Sequence, residues 1–380
     1  MDIIVKYIDE LLEKSTPEAP MWNIEKIRQG LKSNWNYIDG VMIKAVLQMY
    51  DVTKDEKYLK FADNFIDYRV HEDGTIDGYN IGEKNIDNVN AGKTLFELYD
   101  LTGKEKYKKA ADLVYSQIEI MPRCQNEARS FWHKDIYPNQ VWLDGLYMGL
   151  PFYLEYETRY NDRKNYSDIF GQFKFVIENM RNPINGLYFH AMDTSREAFW
   201  CDKVTGLSQH CWLRASGWYA MALLDTLDKV DNSDHKYDAE CKMLEDAFVE
   251  LMDSMLKYQD ESGMWYQVVN YGGMDKNYLE TSGSSIMAYA LLKAVRLGYL
   301  SDDYAQYAKK AIDGICERYL KTKEDGSLSL GGICLVAGLG GNGRRSGTYD
   351  YYMSEPVVKD DAKGVGPFLL AYTEMLRLKK

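Results

Sequence analysis

The amino-acid sequence predicts an all-α fold in which six helical hairpins close into a ring. Two patterns lead to this prediction. Amphipathic segments with a charged face recur along the 380 residues, and segments of small and apolar residues with little charge lie between them. Amphipathic runs are typical of helices with one face in solvent, whereas uncharged runs are typical of helices that are covered on most sides. We therefore expect six outer helices that alternate strictly with six inner helices.

The outer helices are predicted at residues 2–14 and at five segments in which a Tyr follows a charged or polar pair. These tyrosines are separated by 49, 59, 71 and 67 residues, and apolar residues follow them at helical spacing. They are Tyr58, Tyr107, Tyr166, Tyr237 and Tyr304. The inner helices are predicted at about residues 38–50, 87–100, 138–158, 209–227, 278–297 and 362–377.

The connections between the predicted helices differ in length at the two ends of the ring. Those after inner helices are short, as at residues 51–54 and 101–104, and those after outer helices are long. Long loops at one end of a rigid scaffold commonly carry a binding site. No Pro/Ser-rich linker or low-complexity tract interrupts the alternation, so we expect residues 1–380 to form a single domain. The long loops cover residues 71–86, 121–137, 181–208, 259–277 and 320–360.

The composition limits the partners and the compartment that we expect. A formal net charge of -12 repels nucleic-acid phosphates and anionic membranes, so an acidic substrate would need a local cluster of basic side chains. No segment has the apolar length of a membrane span or the pattern of a secretory signal, and six scattered cysteines lack CxxC spacing. These features predict a cytoplasmic protein with reduced thiols, and they leave its oligomeric state open.

The aromatic residues and histidines indicate a polar site. The 31 Tyr and 8 Trp residues fit either a sugar site or a wide helical core, and composition does not separate the two. His133, His190 and His210 fall in or just after long loops with aromatic neighbours, which favours a site over isolated structural hydrogen bonds. No metal-binding spacing is present, so we predict neither a metal ion nor a cofactor. The glycine-rich run 338–343 is followed by Arg344 rather than the Lys of a phosphate loop, and is predicted to be a flexible turn.

Two carboxylates are the candidate catalytic groups. Asp144 interrupts an apolar run at 142–150, where an ionised carboxylate is costly unless it is paired or faces a cavity. A helix cap is the alternative, although a capping Asp normally precedes such a run. Asp87 occupies a similar place on the preceding inner helix, where capping is as plausible as catalysis. Two acids at one mouth would suit general acid and base chemistry on a sugar.

Arg214 is the candidate group for binding an acidic substrate. It stands in an otherwise uncharged helical run, between Trp212 and Trp218. Its guanidinium could capture a carboxylate, or it could form an internal ion pair with Asp87 or Asp144. The residues alone leave both alternatives open.

Eight segments along nearly the whole chain resemble glycoside hydrolase family 105, the unsaturated rhamnogalacturonyl hydrolases, and more distantly the unsaturated glucuronyl hydrolases of family 88. The most specific is the long run at 140–149. The pattern departs from the family after Tyr37, where family members have a His or Gln and this chain has Ile38 and Asp39, which leaves the role of Asp39 open. The other seven segments lie at 35–37, 87–92, 131–135, 186–191, 212–218, 263–267 and 279–284.

The resemblance implies an (α/α)6 barrel and a hydrolase that removes a terminal 4,5-unsaturated uronic acid from lyase-generated pectin oligosaccharides. The expected substrate is a small acidic oligosaccharide of the unsaturated galacturonyl-rhamnose type, and the reaction is hydration of its C4=C5 double bond. Asp144 would protonate C4 and then activate the water that attacks C5, while Asp87 would assist at the ring hydroxyls. Burial among tryptophans would help to keep such an acid protonated. The expected substrate-binding residues are Tyr37, His133, Trp142, His190, Trp212, Arg214 and Trp218.

The same residues are compatible with three other functions. The first is an unsaturated glucuronyl hydrolase of the same mechanism, acting on glycosaminoglycan-like or algal oligosaccharides. The second is a non-catalytic helical toroid that binds sugars or proteins, since a fold does not fix a function. The third is an ordinary two-carboxylate glycosidase, which would act on saturated substrates and need Asp87 as much as Asp144. The glycine-rich loop 320–360 is expected to shape the far side of the pocket, where a second sugar would lie.

Overall fold

Helices make up most of the protein, whose structure is a computed structural model that describes residues 3–341 and 344–379. In chain order the α-helices are α1 (Ile3–Glu13), α2 (Ile24–Gln29), α3 (Tyr37–Thr53), α4 (Glu56–Asp67), α5 (Lys93–Thr102), α6 (Glu105–Ile120), α7 (Leu143–Tyr160), α8 (Tyr166–Asn179), α9 (Leu213–Lys229), α10 (Asp238–Leu256), α11 (Thr281–Leu297), α12 (Ala305–Tyr319), α13 (Tyr349–Ser354) and α14 (Ala362–Arg377). Three short antiparallel pairs in the described residues join β1 (Gln140–Trp142) to β2 (Ala191–Asp193), β3 (Leu320–Thr322) to β4 (Leu328–Leu330), and β5 (Ile333–Cys334) to β6 (Val357–Val358).

The predicted alternation of outer and inner helices is confirmed. Helices α1, α4, α6, α8, α10 and α12 form the outer layer, and α3, α5, α7, α9, α11 and α14 form the inner layer. Helix α5 joins the inner layer together with the 3-10 segment Ile86–Gly92 that leads into it. Helix α14 packs on both α11 and α3, so the inner helices close into a ring. The fold is therefore the (α/α)6 barrel that the sequence predicted.

Small residues allow the inner helices to approach one another closely. A Cβ atom at Gly40 of α3 would lie 2.5 Å from the Cα atom of Ala91, and one at Gly217 of α9 would lie 2.9 Å from the Ile286 side chain of α11. These distances are shorter than a carbon–carbon contact allows. Because almost every residue of α9 and α11 is buried, their faces must fit without side chains at such crossings.

The starts of several inner helices differ from the prediction. Residues 140–142 form strand β1 rather than helix, because Val141 and Trp142 pair with strand β2 and suit a pleated surface. The third inner helix therefore begins at Leu143. The loop 320–360 contains strands and helix α13, which the sequence analysis missed. Residue 2 of the first predicted helix and residues 342–343 of the predicted turn lie outside the described residues.

Two features bear on the predicted compartment. No helix in residues 3–341 and 344–379 combines the length and the apolar character needed to cross a membrane. No disulfide joins the cysteines in this part of the chain, and Cys124, Cys201, Cys211 and Cys334 are buried.

The contact between α11 and α14 contains a nearly buried ion pair. The carboxylate of Glu374, whose side chain is 2% exposed, accepts hydrogen bonds from Nε and Nη2 of Arg296 at 2.6 and 3.0 Å. Arg377 donates a third hydrogen bond to it at 2.8 Å. Removing one partner of such a group leaves the other charges without compensation in a poorly solvated place.

We expect Glu374→Ala to lower the free energy of unfolding by about 2–4 kcal/mol, because Arg296 and Arg377 lose their shared carboxylate. Urea unfolding followed by circular dichroism measures the shift of the midpoint. Glu178→Ala is the matched control, since the Glu178 side chain is 58% exposed and lies 3.8 Å from Lys174. Equal midpoints for the two variants would contradict this account of ring closure.

Candidate active site

A cavity of about 790 Å³, its open mouth included, lies at the end of the barrel where the inner helices begin. Long loops lead into these helix starts, so the cavity lies at the end that the loop lengths predicted. Ligand sites commonly have volumes of roughly 300–1,000 Å³. The cavity is lined by Glu25, Tyr37, Asp87, His133, Lys134, Tyr137, Trp142, Asp144, Met148, Trp212, Arg214, Trp218, Val336, Ala337, Gly338 and Arg345.

The inner helices present their N-terminal ends to this cavity. Tyr37, Asp144 and Arg214 are first or second residues of α3, α7 and α9. A helix N-terminus carries a partial positive charge, so several of them at one place favour an anionic ligand. Lys134 and Arg345 add two more cations to the walls. On a protein of net charge -12 these cations are the basic side chains available to an acidic substrate, and they share the wall with the carboxyl groups of Glu25, Asp87 and Asp144.

Asp144 lies in the first turn of α7, and its side chain is 13% exposed. It is not a helix cap, because Trp142 occupies the N-cap position. Its Oδ2 atom lies 3.2 Å from Nε2 of His190, although the two atoms are not aligned as a hydrogen bond. No Lys or Arg among the described residues forms an ion pair with Asp144.

His190 lies behind Asp144 rather than in the cavity wall, and it is fully buried. Its Nδ1 atom is 2.7 Å from the hydroxyl of Tyr352, and its ring packs against those of Trp142 and Trp212. These contacts hold the imidazole so that Nε2 faces Asp144. Tyr352 comes from α13, in the segment that the sequence analysis treated as a loop, and was missed for that reason.

Asp87 has a different environment from Asp144. One of its oxygens lies 2.8 Å from Nζ of Lys134, and the other lies 3.5 Å from Nε2 of His133. Burial raises the pKa of Asp87, but Lys134 and His133 outweigh this effect and lower it below its ordinary value. Capping is not its role, because Asn85 caps this segment by accepting the backbone N–H of Asp87. Asp87 is therefore a carboxylate held by an ion pair.

His133 is stacked on Trp142, with ring centroids 4.4 Å apart and planes at 5°. Burial lowers its pKa to about 4, so its imidazole is neutral at pH 7. Gly145 is needed for this arrangement, since a Cβ atom there would lie 2.9 Å from Nδ1 of His133. The stack forms an aromatic wall beside Asp144.

Arg214 does not form an ion pair with Asp87 or Asp144, so that alternative from the sequence is wrong. Its Nη1 atom donates to the hydroxyl of Ser282 at 3.1 Å and to the carbonyl of Cys334 at 2.5 Å. The guanidinium lies 4.6 Å from the ring centroid of Trp212 and is fixed by these contacts, although one face of it lines the cavity. A fixed, buried cation of this kind suits a carboxylate ligand.

Two residues that the sequence singled out lie elsewhere. Asp39 is buried in the first turn of α3, where it accepts hydrogen bonds from Trp22 Nε1 at 2.8 Å and from Ser33 Oγ at 2.7 Å. Its role is to tie the chain before α3 to that helix. His210 packs against Tyr271 and Tyr349, and it is not part of the cavity wall.

Several wall residues were not predicted. Lys134 belongs to a segment that carried the family resemblance, so its charge beside His133 was a usable signal. Arg345 follows the glycine-rich run, which the sequence analysis took only for a turn. Glu25 comes from the short helix α2 and pairs with Lys363 at 2.7 Å, and no local pattern indicates that position.

We expect the NMR titration of His133 to have a midpoint near pH 4. Since an unfolded His has a pKa near 6.5, the unfolded chain binds more protons between pH 6.5 and 4. The contribution of His133 to stability is therefore lost as pH falls through this window. His71 is the control, because its exposed side chain next to Asp77 has a raised pKa. A His133 midpoint at or above that of His71 would contradict the burial argument.

Comparisons with known proteins agree with this fold. The model of Glycosyl Hydrolase Family 88 matches residues 8–379. A solved family 105 glycoside hydrolase from C. acetobutylicum is 42% identical, with a TM-score of 0.86 over 97% of this chain and 99% of that chain. The unsaturated rhamnogalacturonyl hydrolase YesR of Bacillus subtilis is 25% identical over 302 residues, which is 78% of each protein. The structure of an unsaturated glucuronyl hydrolase from Bacillus sp. GL1 shares the fold at 16% identity, with a TM-score of 0.65 over 92% of this chain and 88% of that one. The chain therefore belongs to the family 88 and 105 glycoside hydrolases, as its sequence motifs predicted.

Proposed function

We propose that this glycoside hydrolase removes a terminal 4,5-unsaturated galacturonic acid from rhamnose in pectin oligosaccharides, by hydration of the C4=C5 bond. Asp144 is the acid and the base of this reaction, and Asp87 is its helper. The likeness to the rhamnogalacturonyl hydrolase YesR supports the substrate class. We also propose that residues 1–380 act as one catalytic domain in the cytoplasm, where thiols stay reduced.

The observation that carries the proposal is the difference between the carboxyl groups in the cavity wall. Glu25 is paired with Lys363, and Asp87 is paired with Lys134. Among the described residues, Asp144 lies 3.2 Å from Nε2 of His190 and forms no ion pair with a Lys or Arg. A general acid must give up a proton, and among the described residues Asp144 is the wall carboxyl that pairs with no Lys or Arg, which is the reason for assigning it this role.

The proposed reaction uses one carboxyl twice. Asp144 gives its proton to C4 of the enol ether, and positive charge develops at C5 and the ring oxygen. The Asp144 carboxylate then takes a proton from the water that attacks C5. The resulting hemiketal opens and releases the saccharide and a keto sugar. His190 stabilises the carboxylate between these steps, because its Nε2 lies 3.2 Å from Oδ2 of Asp144.

The proposed binding contacts follow from the walls of the cavity. The uronate carboxylate pairs with Arg214 at the helix N-termini, where positive charge is concentrated. The sugar ring lies against Trp218 and Tyr37, since flat aromatic faces suit sugar rings. Trp142, Trp212 and His133 complete the aromatic walls, and Arg345 lies on the side of the loop 320–360, where the second sugar would bind.

We expect Asp144→Asn to lower kcat/KM by about 10²- to 10⁴-fold, because the amide neither gives nor takes the proton. Asp87→Asn is the matched comparison and should lose only about 10-fold, which corresponds to one weakened hydrogen bond to the substrate. The assay follows the loss of ultraviolet absorbance of the unsaturated uronate. Equal losses in the two variants would favour the two-carboxylate glycosidase, and full activity of Asp144→Asn would exclude this residue as the catalyst.

We expect turnover of an unsaturated galacturonyl-rhamnose disaccharide to be at least about 10-fold faster than turnover of an unsaturated chondroitin disaccharide, because the pocket must match the hydroxyl groups of the second sugar. The same absorbance assay compares kcat/KM for the two. The reverse order would identify the chain as a glucuronyl-type hydrolase. No turnover of either, with binding retained, would favour a non-catalytic sugar-binding toroid.

A further inference from the structure

A second cavity, of about 830 Å³, lies at the opposite end of the barrel from the active site. Its walls come from the later turns of the inner helices, and they are rich in charged side chains of both signs. Helix C-termini carry a partial negative charge, so lysines and arginines are favoured there. Nothing in the proposed reaction uses this end of the barrel.

Lys93 is unlike the other cations of this cavity. The residue is 8% exposed, and no carboxylate of the described residues lies within ion-pair distance of its ammonium group. Every other Lys or Arg in the described wall has such a partner. The pairs are Lys44 with Glu97, Arg159 with Glu155 and Asp100, Lys229 with Glu155, Lys293 with Asp225 and Asp228, and Arg296 with Glu374.

The partner of Lys93 is Tyr147 of α7. Helix α7 contains Pro151, which has no backbone N–H and therefore leaves the carbonyl of Tyr147 without its helical hydrogen bond. Nζ of Lys93 donates to this carbonyl at 3.0 Å. The same ammonium group lies 3.4 Å from the ring centroid of Tyr147, a cation–π contact. Lys93 thus fixes both the backbone and the ring of one residue.

The Tyr147 ring connects Lys93 to the active site. It also stacks on Trp218, with ring centroids 4.9 Å apart and planes at 9°. Trp218 lines the active-site cavity, four residues after Arg214 on α9. A line of contacts therefore runs along the barrel axis, from the charged cavity to the substrate-binding wall.

We propose that Lys93 is a positioning residue, which holds Tyr147 against Trp218 and so sets the wall on which the uronate ring binds. The inference rests on the proposed function in one respect, because Trp218 is a substrate-binding residue there. The contact of Lys93 with Tyr147, and its effect on Trp218, do not depend on which sugar is cleaved.

The charge of Lys93 gives this contact a dependence on pH. Burial is the main reason that the pKa of Lys93 falls to about 7. The cation over the Tyr147 ring is therefore lost as pH rises through 7, while the neutral amine still donates to the carbonyl. The charged groups that act on Lys93 are Asp225 of α9, Lys44 of α3, Glu155 of α7 and Lys293 of α11. The same cavity wall also holds Glu97, Asp100, Arg159, Asp228, Lys229, Arg296 and Glu374.

Loss of this charge does not weaken the fold. An unfolded Lys has a pKa near 10.4, so the unfolded chain binds more protons than the folded one between pH 7 and 10. The contribution of Lys93 to the free energy of unfolding therefore increases with pH in this window. A change at Trp218 as pH rises through 7 consequently reports the lost contact rather than unfolding.

Fluorine NMR of the full chain labelled with 5-fluorotryptophan tests the proposal without substrate. The Trp218 resonance is assigned by its loss in Trp218→Phe. We expect it to shift between pH 6 and 9 with a midpoint near 7. The shift should be absent in Lys93→Met, which has no charge, and in Lys93→Arg, whose guanidinium stays charged. Lys229→Met is the matched control, since Lys229 lines the same cavity but pairs with Glu155, and it should keep the midpoint.

An unchanging Trp218 resonance in the unsubstituted protein, or the same midpoint in Lys93→Met or Lys93→Arg, would overturn the proposal. If the unsaturated uronate is a substrate, Lys93→Met should raise KM by about 3- to 10-fold with a smaller change in kcat, the effect expected from a cation–π contact. A fall in kcat of about 3- to 10-fold with an unchanged KM would contradict a positioning role for Lys93. If the Trp218 resonance titrates as expected but the protein does not act on unsaturated uronates, the role of Lys93 is supported and only the proposed function is rejected.

Discussion

The closure of the six inner helices into a ring is the constraint on which the site depends. Closure needs close approach between helix backbones, which glycines such as Gly40 and Gly217 allow. The inner helices also all run in one direction, because each of them follows a long loop and starts at the same end of the barrel. The two ends of the barrel therefore differ electrically before any side chain is considered: helix N-termini at one end favour anions, and C-termini at the other favour cations.

At the end of the barrel that carries the helix N-termini, the two aspartates of the cavity wall have different neighbours. Lys134 pairs with Asp87 and lowers its pKa, while Asp144 lies beside the imidazole of His190 and pairs with no Lys or Arg of the described residues. Two aspartates in the wall of one cavity thus have different charged neighbours. At the far end the charges neutralise one another in pairs, and the exception, Lys93, instead contacts the Tyr147 ring that backs the wall of the cavity.

The segment 320–360 contacts several separate parts of the site. It supplies Tyr352 to His190, the Cys334 carbonyl to Arg214, and Arg345 to the cavity wall. These contacts bring residues late in the chain to helices from its middle. The walls of the cavity therefore depend on the conformation of this segment.

The sequence by itself determined the helical layers and the end at which the cavity lies, because helical periodicity and loop length are local properties. Eight of the nine site residues predicted from it line this cavity. The sequence assigned His190 to substrate binding, whereas this side chain is fully buried behind Asp144 and is not part of the cavity wall. Only the tertiary structure decided which partner each polar group meets, since His190 and Tyr352 are 162 positions apart and Arg214 and Cys334 are 120 apart. No local pattern encodes such pairs. These pairs form when the ring closes, and they give Asp144 and Asp87 different partners.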